Sequence, residues 1–149
     1  MRDINSVATE LQRRLLDAGF IIQRYDAYST NSIYLKLDYG VCNSIRISDH
    51  KGKEHLNYMF NLDRRIKKIR IERGEYTRYY YPFTEITAMV RKILDHRAKK
   101  QEHYGSSYAK VVQEAYLKNQ HNKGFWREAV LVTSETVSQQ QITSKLKQP

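Results

Sequence analysis

The chain has 149 residues, a length that allows one ordinary domain to bury its own core. Its formal net charge is +10, and its one cysteine, Cys42, excludes both an intrachain disulfide and a thiolate metal cluster. No apolar run approaches the ~20 residues of a membrane span, and the opening residues MRDINS lack the apolar stretch of a signal peptide. We therefore expect a cytoplasmic protein.

The first predicted element is an amphipathic helix over residues 6–18. Apolar side chains recur there at three- and four-residue steps, at Ile4, Val7, Leu11 and Leu15. Asp3 or Ser6 can cap its start, and Gly19 can supply the left-handed residue that ends it. An extended segment is predicted to follow from residue 20 toward residue 28.

From residue 32 onward the apolar period changes to two, which is typical of strands. One face of this segment is apolar and the other mostly polar, the two sets being Ile33, Leu35 and Leu37 against Tyr34, Lys36 and Asp38. After a turn at residues 38–40, further strands are predicted over residues 41–48, 56–62, 68–72 and 76–81. Such short consecutive segments indicate an antiparallel sheet, and the first helix would cover its apolar face.

Two helices are predicted after Pro82, which ends the sheet region. The first covers residues 84–104, with Thr84 as its N-cap, and the second starts at Ser106 or Ser107. The whole pattern predicts an α+β fold: an N-terminal helix packed on an antiparallel sheet of four to six strands, followed by two C-terminal helices. We assign one domain to residues 1–118, and a short apolar patch with a flexible polar tail to residues 119–149.

The most informative stretch for function is residues 64–81, RRIKKIRIERGEYTRYYY. Seven basic residues there outnumber two acidic ones, and four tyrosines lie toward its end. Because cations bind phosphates and aromatic faces stack on bases, this composition predicts a surface for nucleic acid or a ribonucleoprotein. The predicted electrostatic residues are Arg64, Arg65, Lys67, Lys68, Arg70, Arg73 and Arg78, joined by Arg91, Lys92, Arg97, Lys99 and Lys100 on the polar face of the second helix. The predicted aromatic residues are Tyr76, Tyr79, Tyr80 and Tyr81.

Most of the net positive charge lies in one part of the chain. Residues 1–63 hold eight basic and eight acidic side chains, whereas residues 64–100 hold twelve basic and four acidic ones. Because neighbouring residues of a strand point to opposite faces, we expect one or two of the four tyrosines to be exposed. In the leading hypothesis Tyr79 and Tyr81 are these aromatic anchors.

The segment SDHKGKEH contains the residues that best fit a catalytic or metal site, namely Asp49, His50, Glu54 and His55. Its Asp-His…Asn order resembles that of His-Asn-His nucleases, in which a histidine activates water beside a metal. Against a nuclease, the spacing to Asn57 or Asn61 is short. In addition, the residues after the loop keep the period of a strand rather than that of a helix.

The other chemical groups favour a protein without catalysis. His96 and His103 lie seven residues apart on the predicted second helix, too far for a zinc pair, and we interpret them as surface residues. Cys42 has no base at a recognisable spacing, and the chain contains no glycine-rich phosphate loop, GxSxG or HExxH motif. We therefore expect no enzyme, no cofactor and no bound metal.

The segment SIYLKLDYGVCNSIRISDHKGKEHLNYMFNL resembles small proteins of Firmicute phages and mobile elements. These share a Ser-x-Tyr pair, an Ile-Arg-Ile-Ser-Asp-His motif and a Leu-x-Tyr-x-Phe/Tyr-Asn strand. The matching positions are Ser32 with Tyr34, residues 45–50 and residues 56–61. The resemblance covers about residues 1–104, and some proteins of this kind are, or are fused to, anti-CRISPR inhibitors of type II RNA-guided nucleases.

The resemblance implies a phage-type inhibitor in the cytoplasm of a bacterial host, with a type II effector nuclease and its guide RNA as partner. Many such inhibitors are acidic mimics of DNA, and the net charge of +10 departs from that pattern. A basic inhibitor should instead contact guide RNA, heteroduplex or an acidic patch of the nuclease. The alternatives are a stand-alone basic regulator that binds nucleic acid directly, and a metal-dependent His-Asn-His-like nuclease. The oligomeric state is left open.

Overall fold

The computed structural model describes residues 3–27, 31–49, 59–64, 69–73, 76–121 and 124–133, with backbone alone for residues 69–73, 76–77 and 125. Within them the helices are α1 (Ile4–Asp17), α2 (Ile86–Tyr104) and α3 (Tyr108–Asn119). The strands are β1 (Ile22–Asp26), β2 (Ser32–Leu37), β3 (Ser44–Ser48), β4 (Phe60–Asp63), β5 (Ile69–Arg73), β6 (Tyr76–Tyr81) and β7 (Val130–Val132). The predicted α+β class, with its N-terminal helix, is confirmed.

Helix α1 forms where its apolar period and its cap coincide. The carboxylate of Asp3 accepts a hydrogen bond of 2.7 Å from the backbone N–H of Ser6, which satisfies one of the free donors at the helix start. Gly19 adopts the left-handed conformation just beyond the helix end, at φ +88°. The apolar face, with Val7, Leu11 and Leu15 fully buried, lies against β2 and β3.

The sheet is mixed rather than antiparallel, and its strand order is β5-β6-β4-β3-β2-β1-β7. Strands β1 to β3 form an antiparallel meander, and β5 pairs antiparallel with β6. Strand β4, however, lies parallel to both β3 and β6. The prediction of an antiparallel sheet is therefore wrong at its centre, because a period of two identifies a strand but says nothing about the direction of its neighbour.

Strand β7 adds a seventh strand to the predicted four to six, at the edge beside β1. Val132 lies in the core, so this segment is part of the sheet although the sequence analysis placed it outside the domain. Three residues are too short for a periodic signal, and the strand is revealed by its pairing with β1, in which Val132 lies opposite Ile22. The tail predicted beyond residue 133 lies outside the described residues.

Both faces of the central strands are buried, which the sequence pattern did not indicate. One face carries the apolar residues that pack on α1 and α2. On the opposite face Tyr34, Arg46, Asn61 and Tyr80 occupy paired positions of four adjacent strands, and each is 4% exposed. Trp126 lies against this second face, with its ring 6.4 Å from that of Tyr34.

Candidate nucleic-acid interface

Helix α2 carries several of the predicted basic residues in accessible positions. Lys92, His96, Lys99 and His103 recur there at steps of three and four residues, so their side chains lie above one another along the helix. Arg91 and Lys99 are exposed, and Lys92 and Lys100 are half-buried. The ammonium of Lys99 lies 3.3 Å from the carboxylate of Asp95, in a pair whose side chains are 71% and 51% exposed. This part of the predicted electrostatic surface therefore faces solvent.

A cluster of aromatic rings supports this helix face from below. The rings of Phe60 on β4 and Tyr79 on β6 are stacked, with centroids 5.6 Å apart. The imidazole of His96 meets both rings edge-on, at 5.4 and 5.5 Å, and the Lys92 ammonium lies 4.8 Å from the centre of the Tyr79 ring. The contacts of His96 and Lys92 join the sheet to α2, so the basic residues of this helix rest on a packed layer.

His96 is not the surface residue that the sequence analysis predicted. Its ring packs among Phe60 and Tyr79, and burial lowers its pKa from the ordinary value, helped by the charges of Lys92 and Lys99. Because that ordinary value is 6.5, His96 is mainly neutral at neutral pH. The positive charge of the α2 face therefore comes from its lysines and arginines.

The prediction that Tyr79 and Tyr81 are exposed anchors is wrong. Tyr79, Tyr80 and Tyr81 are 6%, 4% and 2% exposed, and Tyr79 and Tyr81 belong to the main apolar core. Neighbouring tyrosines do point to opposite faces, as expected, but both faces of β6 are covered at this position. The side chain of Tyr76 lies outside the described residues.

Arg97 has a structural position instead of the predicted binding one. Its guanidinium donates to the backbone oxygens of Ala18 and Gly19 at 2.9 and 3.0 Å, and it lies 3.2 Å from the carboxylate of Asp38. It also lies over the ring of Phe20, at 4.2 Å from its centre. Arg97 thus ties α2 to the end of α1, and its guanidinium is engaged within the protein.

The remaining predicted cations are only partly described. Arg64 is exposed, with its guanidinium 5.6 Å from the centre of the Phe83 ring, and Arg78 is half-buried. The other five lie outside the described side chains, namely Arg65, Lys67, Lys68, Arg70 and Arg73. The structure therefore describes Arg64 beside Phe83 and Arg78 on β6, and it does not describe the side chains at the centre of the basic segment.

A buried polar cluster around Asp38 was missed by the sequence analysis, which assigned residues 38–40 to a turn. Asp38 is 1% exposed and accepts hydrogen bonds from the Tyr108 hydroxyl and from the backbone N–H of Ile21, at 2.5 and 2.9 Å. Its backbone is left-handed at φ +48°, which aspartate tolerates better than most residues. With Arg97 on the same carboxylate, Asp38 joins α2, α3 and the sheet.

The cluster also determines the chemistry of Cys42. Its sulfur lies 3.1 Å from the Tyr108 oxygen and 3.6 Å from Asp38. Burial, opposed in part by the Tyr108 hydroxyl and reinforced by Asp38, raises the pKa of the Cys42 thiol from 9.0 to about 11. Burial and the bond to Asp38 likewise raise the pKa of Tyr108. Both groups are therefore protonated at neutral pH, and Cys42 is a poor nucleophile.

We expect iodoacetamide to alkylate Cys42 at least about 100-fold more slowly in the folded protein than in urea, because a pKa raised by about two units lowers the thiolate fraction about 100-fold. The folded pKa lies above the unfolded one, so the folded state holds this proton more strongly. The contribution of this proton to the free energy of unfolding is fully present below pH 9.0 and is lost as the pH rises through about 11. Mass spectrometry of the alkylated fraction measures the rates, with glutathione as a reference thiol; equal rates in both solvents would contradict the buried position.

Within the described ranges, no three His, Cys, Asp or Glu side chains come together so as to hold a metal ion. His50 and His55, the sequence's candidates for such a site, lie outside those ranges. None of the helices in the described part of the chain combines the length and the apolar character that crossing a membrane requires. Comparison with protein-family models, curated proteins and solved structures finds no match to this chain.

Proposed function

We propose that this protein is a non-enzymatic inhibitor of the anti-CRISPR type, which binds a type II RNA-guided DNA nuclease and blocks target DNA binding or cleavage. The observation that carries the binding step is the exposed basic surface of α2, which lies within the positively charged residues 64–100. The resemblance of residues 32–61 to phage proteins of this kind supports the choice of partner. Guide RNA and heteroduplex present the phosphates that such a face attracts.

The packing of α2 suits a surface that binds phosphates. Arg91 and Lys99 project from a helix that rests on Phe60 and Tyr79, so binding does not require a loop to become ordered. The exposed pair between Lys99 and Asp95 is worth little in water, about 0.3–0.5 kcal/mol for such an i,i+4 pair. Lys99 can therefore exchange Asp95 for a phosphate at small cost.

A charge reversal on α2 tests this proposal. We expect the double substitution Arg91→Glu with Lys99→Glu to weaken binding to guide-loaded effector or RNA by at least about tenfold at low salt. It should also reduce the slope of log K against log[salt] by about two, since two phosphate contacts are removed. The matched control is Lys110→Glu with Lys118→Glu, which changes the net charge equally on exposed positions of α3. Equal losses in both double variants would show that α2 is not the interface.

The choice of bait separates this function from its alternatives. Pull-down and gel-shift measurements use effector protein alone, effector loaded with guide RNA, and free RNA or duplex DNA. Capture of the effector without binding of free nucleic acid supports a dedicated inhibitor. Binding of free nucleic acid alone identifies a stand-alone regulator instead. Cleavage of nucleic acid that needs a divalent metal and disappears in His50→Ala would identify a nuclease instead of an inhibitor or a regulator.

A further inference from the structure

A cleft of about 250 Å³ lies between β1, the turn at Asp38–Gly40, α3 and the turn at Gly124–Glu128. Its lining includes the aromatic rings of Tyr39, Tyr116 and Trp126, the side-chain amides of Gln23 and Asn119, and the guanidinium of Arg127. Pockets for drug-sized ligands enclose roughly 300–1,000 Å³. This cleft is smaller, and its size suits a single planar ring system.

The aromatic walls are held in place by neighbouring groups. The rings of Tyr39 and Tyr116 meet edge to face with centroids 5.0 Å apart. The ammonium of Lys36 lies 4.5 Å from the centre of the Trp126 ring, and Tyr34 contacts the same ring edge-on. Rings fixed in this way offer stacking surface with little loss of side-chain entropy, as base-stacking sites do.

The amides of the cleft differ in how their hydrogen bonds are satisfied. The Asn119 side chain donates to the backbone oxygen of Tyr39 at 2.8 Å and accepts from Lys36 at 3.3 Å, so its orientation is fixed. Gln23 lines the cleft from β1, and its carbonyl oxygen Oε1 is buried but accepts no hydrogen bond from the residues described here. A buried acceptor is rarely left unmatched in a folded protein, and an N–H group of a ligand would satisfy it once a turn of the Gln23 side chain brings this oxygen into the cleft.

The charge around the cleft favours a ligand that carries an anionic group next to its planar ring. Arg127 is exposed at the cleft, and the Lys36 ammonium lies beside Trp126. The buried carboxylate of Asp38 is engaged by Arg97 and Tyr108, so it does not neutralise these cations directly. An aromatic wall, a buried acceptor and adjacent cations together match a ring with N–H donors that carries a phosphate.

We propose that this cleft binds one nucleotide, with its base among Tyr39, Tyr116 and Trp126, a base N–H on Gln23 Oε1, and its phosphate near Arg127. The ligand is a free mononucleotide or an unpaired nucleotide of an RNA strand. The second source rests on the proposed function, in which the α2 face attracts the RNA and the cleft receives one base. This site lies outside the residues that the sequence analysis selected for binding.

The indole N–H resonance of Trp126 is the natural reporter, because the chain contains one tryptophan. We expect this NMR signal of the ¹⁵N-labelled protein to shift saturably on titration with AMP, CMP, GMP or UMP, and not with ribose 5-phosphate. An unpaired RNA oligomer that binds more tightly than the mononucleotides identifies the strand as the source, whereas equal affinities identify a free nucleotide. No saturable shift, or an equal shift with ribose 5-phosphate, would overturn the proposal.

Two pairs of variants locate the binding site. Tyr116→Ala removes a cleft wall and should weaken nucleotide binding by about tenfold or more, since stacking on one aromatic ring is worth that much. Leu117→Ala, at the next and more exposed position of α3, should leave it unchanged. Arg127→Gln should weaken binding of the phosphate, with Lys118→Gln as its exposed control; this pair also serves if Tyr116→Ala fails to fold. If Tyr116→Ala binds nucleotide as tightly as Leu117→Ala, and Arg127→Gln as tightly as Lys118→Gln, the cleft is not the binding site.

The results distinguish failure of this inference from failure of the proposed function. Nucleotide binding at Trp126 without capture of any effector leaves the cleft site standing and removes the inhibitor. Effector capture that depends on Arg91 and Lys99 but not on Tyr116, with no nucleotide-induced shift, retains the inhibitor and removes the cleft site.

Discussion

Replacing Asp38 by asparagine should lower the free energy of unfolding by about 3 kcal/mol, because it leaves the guanidinium of Arg97 without its buried counter-charge. Asparagine keeps the shape of the side chain and tolerates the left-handed backbone at φ +48°, so the loss reports the charge rather than strain. Urea unfolding followed by circular dichroism measures the change, with the m-value checked for two-state behaviour.

Asp95→Asn is the matched control for this prediction, since it makes the same chemical change in an exposed ion pair. Asp95 lies 3.3 Å from Lys99 on the surface of α2, and its loss should change stability by less than about 0.5 kcal/mol. If both substitutions have the same small effect, the carboxylate of Asp38 does not hold α2 and α3 to the sheet. A large effect at Asp38 alone would establish it as the point where these elements are joined.

Replacing Tyr79 by alanine should cost about 3–5 kcal/mol of folding free energy, the range found when a large buried aromatic side chain is removed. The ring is stacked on Phe60 and contacts His96 and Lys92, so its loss leaves a cavity between the sheet and α2. Thermal and urea unfolding measure this change. Loss of RNA or effector binding in this variant would then follow from loss of structure.

Tyr79→Phe keeps the ring and should change stability by less than about 1 kcal/mol, with binding unaffected. The pair of variants distinguishes a packing residue from the base-stacking anchor that the sequence suggested. An alanine variant that stays as stable as the parent protein but no longer binds RNA would show that Tyr79 is accessible, and would contradict its buried position. We expect Tyr79→Ala to lose folding stability, and to lose RNA binding only as a result of unfolding.

Helix α1 and strands β2 and β3 are the parts of the fold that could be predicted most completely. The three- and four-residue steps of Val7, Leu11 and Leu15, and the alternation of Ile33, Leu35 and Leu37, are set by local geometry that the order of residues displays directly. Asp3 could be named as a cap for the same reason, since its partner Ser6 is three residues away. Each of these interactions depends on residues close together in the chain.

The candidate site was predicted less well, and the reason differs between its residues. Arg91 and Lys99 were found because an amphipathic helix separates its polar face from its apolar face. Arg97 lies on the same helix, yet its guanidinium reaches Asp38, 59 positions earlier in the chain. The cleft is assembled from β1, α3 and two turns, so no local pattern of residues indicates it.

Local patterns of residues specify the α+β class, the inward faces of α1 and α2, and the concentration of positive charge in residues 64–100. These properties depend on composition and on periods of two or 3.6 residues, which any folded arrangement of the chain must respect. The folded arrangement alone reveals the parallel pairing of β4, the burial of Tyr79 to Tyr81 on a sheet covered on both faces, and the meeting of Gln23, Tyr116 and Trp126 in one cleft. Strand direction and coverage of a face are set by contacts between distant parts of the chain, and the local pattern of residues is the same whichever partner the fold supplies.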